Sequence, residues 1–595
     1  RSSDLRKCEI TSKIRYSLDR SNILVYFVSR NIHRGNIVMH IFNFGNSGYK
    51  KNAVIVRSDT SYGLQENGLI YGLLGISGSE TIGMNGMLDG FEYNREVYPV
   101  QITEGSGYIE VDYDKYSPIL KRCIKDGYIP LRFSVELEEH RYYTVTVRLL
   151  NTSKTENTRV TLCSEKRRFI LFEKELLPGE RIDAAFNVNL ESVFSHGALY
   201  PNNVLNVSIC GSHAGLAEIR IKKHDDFGKT LWILGDSTVC DYISPVPCYP
   251  LRNYGGTGAF LSKYINPEIA VSNQAEGGLC ASDEDHFDNT VKHMRKGDFL
   301  YVQYGINDKQ QYNDIAQYRD NLEKYYTAAR EKGVKLIIAS CTQRHEKNKN
   351  WNSQLEMWQS TMRDYACAAS EFVERKRREG KRDIAFLDVN KVFINRLNML
   401  IRQVFKKHNE IKPDGQKLIQ YAADYYYRTD KHAEVDPEHI NEAGADNTAF
   451  AIVTEMKHLK NSSEEALFDE IVENARDELP YVVVDIEGMP ADLYSNAEVT
   501  DMEYPVIIEK ILINNGRLEY VKLNAAAENC RGFIQIYNGD DLSTEFYSTG
   551  MSRNKLLFDE NDDKNYFPRG CIYRINIVSM TNKYLSLEWK DEYWG

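Results

Sequence analysis

The chain has no apolar run long enough to cross a bilayer. Its longest hydrophobic stretches, such as Val334-Lys335-Leu336-Ile337-Ile338-Ala339, fall far short of the roughly 18 residues a spanning helix needs, so no membrane partner is expected. An excess of positive charge is also missing. Lys and Arg total 74 against 85 Asp and Glu, a formal net charge of -11, and the densest basic patch, Glu374 to Arg382 (ERKRREGKR), carries acids of its own. The electrostatic footprint of a nucleic-acid binder is absent, and nucleic acid is not expected as a partner. The eleven cysteines form no C-x-x-C pair and no metal-ligand spacing. An odd, dispersed set argues against a disulfide framework and favours a reducing compartment. No leader is visible at Arg1, and no initiator Met is present either, so a cytoplasmic location is favoured over secretion without excluding a removed leader.

Core material is plentiful. The 595 residues are 42% hydrophobic and 27% charged, ordinary values for a globular chain of about four domains. Residues 1 to about 225 carry short β-rich runs, including Ile23 to Val28, Ile37 to Phe42, Tyr142 to Leu150, Arg168 to Phe172 and Val204 to Cys210, separated by Asn/Gly/Ser turns. They predict one or two β-sandwiches, divided at about residue 138 into an N-terminal β-rich domain (1–138) and a second β-sandwich (139–226).

From Lys229 the pattern changes. Buried strands at Leu231–Leu234, Phe299–Tyr304, Val334–Ser340 and Ile384–Val389 alternate with helical segments at Tyr318–Lys332 and Trp351–Arg378. That alternation predicts a parallel, doubly wound α/β sheet over 229–460. An acidic connector is expected at 461–478, and a C-terminal β-rich domain at 480–595. No internal repeat is visible.

Four segments carry chemistry. Gly235-Asp236-Ser237-Thr238-Val239 puts a serine just past the end of the first α/β strand, where parallel sheets bind ligands; Ser237 could instead cap a following helix. Ser272 to Asp283 (SNQAEGGLCASD) offers backbone N–H groups at Gly277-Gly278. Tyr304-Gly305-Ile306-Asn307-Asp308 follows the next buried strand, with Asp308 read as an ordinary turn residue. Asp436-Pro437-Glu438-His439 opens the last helix, where Asp436 also suits an N-cap.

Taken in order, these blocks resemble those of the SGNH (GDSL) hydrolase superfamily over residues 229 to 460. G-D-S-T-V with D-x-x-H and Asn441-Glu442-Ala443-Gly444-Ala445 looks most like the rhamnogalacturonan acetylesterase group, in which a β-sandwich ahead of the G-D-S-T block is similar to the one expected here. The resemblance implies a three-layer α/β fold with a flavodoxin-like parallel sheet, flanked by N-terminal and C-terminal β-sandwich-type domains. It implies a carbohydrate O-acetylesterase acting on acetylated pectic rhamnogalacturonan first, xylan or mannan next, with no cofactor and no metal.

Ester cleavage needs a nucleophile, a base and oxyanion donors. Ser237 fits the first role, His439 the second, and Asp436 would fix the imidazole tautomer. The resemblance implies three oxyanion donors: the Ser237 N–H, the Gly278 N–H and the Asn307 side-chain amide, with Gly277 an alternative to Gly278. Arg344 and His345, past the Leu336 to Ser340 strand, are candidate substrate contacts or a solvated loop. His286 and His293 are read as surface residues. A lipase or thioesterase and an inert glycan-binding protein are the competing functions, and a homo-oligomer is left open.

Overall fold

The strands after Lys229 are apolar on both faces because both faces are covered. In the computed structural model, Ala270–Asn273, Thr230–Gly235, Phe299–Gln303, Lys335–Ala339 and Ile384–Leu387 form a five-stranded sheet in that spatial order, every pair parallel. Leu231, Ile233, Phe299, Tyr301, Ile337 and Leu387 face one core, shared with helices Thr257–Tyr264 and Glu442–Lys460. Trp232, Leu234, Leu300, Val302, Leu336 and Ile338 face the other, covered by helices Asp285–His293, Ile315–Lys332 and Arg363–Arg378. Alternate residues thus point to opposite cores, which is why the strands read as continuous hydrophobic runs.

The structure describes residues 39–476, apart from 47–51, 76–99, 117–128, 196, 243–253, 345–350, 353–356, 395–426, 430–434 and 461–465, and beyond 476 only the backbones of strands. The run at Ile23 to Val28 lies outside the described residues. Among them, no helix is long and apolar enough to cross a membrane.

Residues 39–223 form one β-unit, not two divided at 138. Strand Met39–Phe44 pairs with Ala214–Lys223, and Ile70–Leu74 pairs with Leu131–Glu136, which in turn pairs with Val204–Cys210. Two sheets built from both sides of the expected boundary enclose a single core that runs from Phe42 to Ile221. Strand pairing between distant segments overrode the local break in the sequence.

Two further boundaries move. The expected helix from Trp351 begins only at Arg363, because Trp351–Asn352 and Met357–Trp358 pair as a short antiparallel ladder. The segment expected as a connector includes Ala466–Phe468 and Asp469–Val472, whose Leu467, Phe468, Ile471 and Val472 are buried in the α/β core. Past residue 498, strands form two antiparallel sheets, in the orders 506–511, 572–579, 531–538, 541–551 and 498–499, 585–591, 516–523, 555–557.

The β-unit and the α/β layers share apolar contacts. Phe169 stacks on Phe260 with centroids 4.0 Å apart, and Cys163, Phe169 and Phe172 belong to the α/β core. Burying an aromatic ring of this kind is worth about 3–5 kcal/mol on truncation to Ala. A chain beginning at Phe227 exposes this whole surface, so it is expected to be insoluble or to melt far below the intact chain in a thermal scan. Unchanged stability would show that the shared core is dispensable.

Candidate active site

A parallel sheet places every loop that follows a strand at the same edge, and the predicted blocks converge there. Ser237 sits on a turn directly after Thr230–Gly235. The turn is closed by the Val239 and Cys240 N–H groups donating to the Asp236 carbonyl, and no helix starts at this point, so Ser237 is not a helix cap. Asp236 is fully buried and its Oδ1 accepts from the Thr238 N–H (2.8 Å) and hydroxyl (2.7 Å), which fixes the turn. Gly235 serves close approach: a Cβ there would lie 2.7 Å from the Gln303 carbonyl oxygen of the neighbouring strand.

Asp436 and His439 come from a strand, Val435–Ile440, and not from a helix start. The last helix begins at Glu442, and Asn441 caps it by accepting from the Gly444 N–H at 2.7 Å. Asp436 therefore does not cap that helix. Its Oδ1 accepts from the Glu438 and His439 N–H groups at 2.9 and 3.0 Å, and its carboxylate lies 3.0 Å from His439 Nδ1. Burial raises the carboxyl's pKa, but hydrogen bonds from the His439 ring and the two amides outweigh it and hold the group down at about 2. On the far side of the ring, His439 Nε2 lies 3.0 Å from Ser237 Oγ. Residues 202 positions apart in sequence thus form one hydrogen-bonded line.

Behind this line stands an aromatic wall that the sequence reading missed. The edge of Tyr254 meets His439 at 5.1 Å, Tyr254 stacks on Tyr242, and the Tyr242 hydroxyl donates to the Ser237 carbonyl at 2.7 Å. Gly255 and Gly256 pass between the segments that carry Ser237 and His439; a Cβ on Gly256 would meet the Cys240 carbonyl oxygen at 2.1 Å. The Tyr-Gly-Gly triplet was the available signal.

The Gly block lies beside Ser237, with a Cβ on Gly277 only 3.7 Å from that of Ser237. Gly278 has φ +84, a conformation that favours glycine, and its carbonyl accepts from Gln311 Nε2 at 3.3 Å. Among the described residues, no acceptor takes the N–H of Ser237 or of Gly278. Asn307 is buried at the start of helix Ile306–Gln311 and donates to the Leu279 carbonyl at 2.9 Å, which leaves its second amide proton for another acceptor. Asp308 is more than a turn residue: it is buried and accepts from the Ala281 N–H at 3.0 Å, tying the Gly block to this helix. Burial pushes its carboxyl up to about 6.

Arg344 reaches the same edge but is paired, donating to Glu438 at 2.7 Å. His345 lies outside the described residues. His286 and His293 are buried rather than surface residues, at 3% and 7% exposure. His286 Nε2 lies 2.7 Å from Glu276, the residue before Gly277, and its Nδ1 lies 3.2 Å from Asp283. Ser195 of the β-unit donates to the other Glu276 oxygen at 3.1 Å. Asp283 stands three residues before His286, the one local signal of this cluster, whereas Glu276 and Ser195 come from farther along the chain.

No family model matches the chain. Among curated proteins it is 28% identical to the uncharacterized esterase YxiM of Bacillus subtilis over 151 residues, 23% of this chain and 38% of that one. It is 27% identical to the rhamnogalacturonan acetylesterase RhgT of Bacillus subtilis over 129 residues, 20% of this chain and 52% of that one. These matches span about half the length of the curated relatives or less. Of the solved structures, YxiM of Bacillus subtilis superimposes with a TM-score of 0.33 at 20% identity, covering 71% of this chain and 99% of that one. Both curated proteins that the chain resembles are named as esterases.

One titration should be visible in stability. Burial opposes protonation of His286, yet the hydrogen bonds its ring donates to Asp283 and Glu276, with their negative charges, outweigh it and raise the ring to about 9 from its ordinary 6.5. A raised folded-state pKa stabilises fully below about 6.5 and is lost as pH climbs through 9. The chain is expected to lose up to roughly 3 kcal/mol across that window, and His286→Gln to flatten the loss. Denaturant unfolding at pH 6, 8 and 9.5 compares the two; parallel curves would remove His286 as the cause.

Proposed function

We propose that the chain is a carboxylic-ester hydrolase, and more narrowly an O-acetylesterase that releases acetate from acetylated plant polysaccharide or oligosaccharide. The observation that carries this reading is the line Asp436–His439–Ser237, with contacts of 3.0 Å on both sides of the imidazole. RhgT, named for rhamnogalacturonan, makes acetylated pectic rhamnogalacturonan the first substrate to test, with xylan and mannan next. The β-unit ahead of the α/β region and the β-sheets after it are read as flanking domains, the first serving to cover and brace the hydrolase layers.

The geometry supports an acyl-enzyme route. His439, its Nδ1–H held by Asp436, takes the Ser237 proton at Nε2 as Oγ attacks the ester carbonyl carbon. Negative charge then develops on the carbonyl oxygen, and the N–H groups of Ser237 and Gly278 with the Asn307 amide are positioned to donate to it. Collapse expels the sugar alkoxide, which receives the proton from His439. Water, deprotonated by the same His439, attacks the acetyl-serine and frees acetate. Removing one donor of this kind typically costs roughly 2.7–4 kcal/mol of transition-state stabilisation. Arg344, held by Glu438 two residues from Asp436, is read as a substrate-side cation at the rim.

Ser237→Ala and His439→Ala are each expected to reduce turnover by several orders of magnitude, measured as acetate release under saturating substrate. Near-normal activity in either would place the nucleophile or base elsewhere. Asn307→Ala should lower kcat by about 10²–10³ and leave KM nearly unchanged, the mark of a donor used in the transition state. An effect on KM alone would make Asn307 a positioning group for substrate.

The substrate class is tested by acetate release across acetylated rhamnogalacturonan, xylan and mannan, beside nitrophenyl esters of rising chain length. Acetyl esters should be cleaved fastest. A strong preference for acyl chains longer than butyrate would point to a lipase or thioesterase and overturn the deacetylase assignment. Failure of Ser237 to react with a serine-directed phosphonate would leave only a glycan-binding role.

A further inference from the structure

The seam between the β-unit and the α/β layers holds a cluster that the ester chemistry does not use. His140 and Glu191 come from the β-unit, and His293 ends helix Asp285–His293 of the α/β region. His293 Nδ1 lies 3.0 Å from Glu191 Oε2, and His140 Nδ1 contacts the same oxygen. We propose that His140, Glu191 and His293 bind a zinc ion that ties the β-unit to the α/β region.

Chemistry and spacing both favour this occupant. Two imidazole nitrogens and one carboxylate oxygen are a common three-residue zinc set, with zinc–ligand distances of about 2.0–2.2 Å. Such distances put neighbouring tetrahedral ligands about 3.3 Å apart. Here the three donor atoms all lie within 4.8 Å of one another, so an ion requires side-chain shifts of about 1 Å.

The surroundings are those that ligands need. A metal-bound imidazole turns its other nitrogen to a polar partner, and a ligating carboxylate is held in turn. His293 Nε2 lies 2.9 Å from Ser192 Oγ, His140 Nε2 faces Glu139 at 3.8 Å, and Arg295 holds the Glu191 oxygen that the histidines leave free. The Arg295 guanidinium also offsets the negative charge of Glu191. Glu191 and His293 are buried, whereas the His140 side chain is 51% exposed, which opens one side to solvent for ion entry and a fourth, water ligand. His140 holds φ +56, a strained conformation for a non-glycine residue, and its N–H donates to the Leu190 carbonyl at 2.7 Å. Strain of this kind fits a side chain aimed at a fixed point. The distances in sequence between the three residues explain why no ligand spacing is visible there.

Helix Asp285–His293 also carries His286, which grips Glu276 beside Gly277. An ion at the seam therefore stiffens the support of the Gly block, but its binding is measurable whether or not the chain cleaves esters.

The test is titration of the chelator-stripped, full-length chain with zinc chloride against a chromophoric zinc chelator, with thermal unfolding in parallel. The expected result is uptake of one equivalent, a rise of several degrees in Tm, and a loss of affinity of more than about 100-fold in His140→Ala, with no zinc-dependent Tm rise in that variant. His140 is chosen because its half-exposed ring can be removed without opening the core; Glu191→Gln provides a second variant and should also lose affinity. Absence of saturable uptake, or equal affinity in the wild type and His140→Ala, would overturn the proposal and leave the cluster as a carboxylate hydrogen-bonded by two histidines and an arginine.

Discussion

Two consecutive arginines at the start of strand Arg168–Leu176 set the position of the Asp436–His439–Ser237 line. Arg167 pairs with Glu442 at 3.4 Å and Arg168 with Asp241 at 3.1 Å, and all four side chains are buried. Glu442 starts the helix three residues after His439, and Asp241 lies four residues after Ser237. Each arginine therefore grips one of the two segments that must meet. Buried pairs of this type add little net stability, because desolvation offsets most of their attraction, but breaking one leaves a lone buried charge at a cost of about 3–5 kcal/mol. Their effect is registration: few arrangements satisfy both pairs at once. The Glu442 carboxylate at the first turn of its helix is further favoured by the positive end of the helix dipole.

The same logic extends to the oxyanion side. Ser195 and His286 hold the two Glu276 oxygens, and Asn289 donates to the Ser192 carbonyl at 2.8 Å. The first two links join the β-unit and helix Asp285–His293 to the loop that ends in Gly277-Gly278, and the third joins that helix to the β-unit. The segments that carry Ser237, His439 and Gly277-Gly278 are thus each braced, directly or through one residue, by the β-unit. A cover that supplied only apolar area would leave those three segments free to drift by the ångström or so that positioning cannot tolerate.

What the sequence discloses follows from how local each feature is. Four of the five parallel strands are legible because both faces are buried, so each one is a short apolar run by itself; the fifth, Ala270–Asn273, is only four residues long, ends in Ser272-Asn273 and is not legible as a strand. Ser237 and Asn307 are legible because each sits in a short block directly after such a run, and His439 because it closes the D-x-x-H block. Features that depend on partners far along the chain are not legible. The pairing of Met39–Phe44 with Ala214–Lys223 erases the expected boundary at 138, and nothing near either strand announces it. The burial of His286 and the grip of Arg167 on Glu442 are likewise long-range. The misplaced start of the last helix is a different error: Asp436-Pro437 and Asn441 are both good caps, but the chain from Val435 to Ile440 is extended and the helix starts only after Asn441.

Three aspartates near Ser237 illustrate how environment assigns different roles to one residue type. Burial pushes Asp236 up to about 6 against the opposing Thr238 amide and hydroxyl and the charge of His439, and it pushes Asp308 up to about 6 as well. Asp436 is half-buried and receives a ring N–H and two amide N–H groups, so it stays near 2. A raised carboxyl pKa means the folded state holds its proton more tightly than the unfolded chain, so ionising Asp236 and Asp308 above pH 6 works against folding, whereas ionised Asp436 supports it down to about pH 2. The fold thus bears two costly carboxyls to shape the turn at Ser237 and the loop at Ala281, and keeps one stable anion for the imidazole. Acidification toward pH 5 protonates the two shaping groups first, while the anion that orients His439 persists.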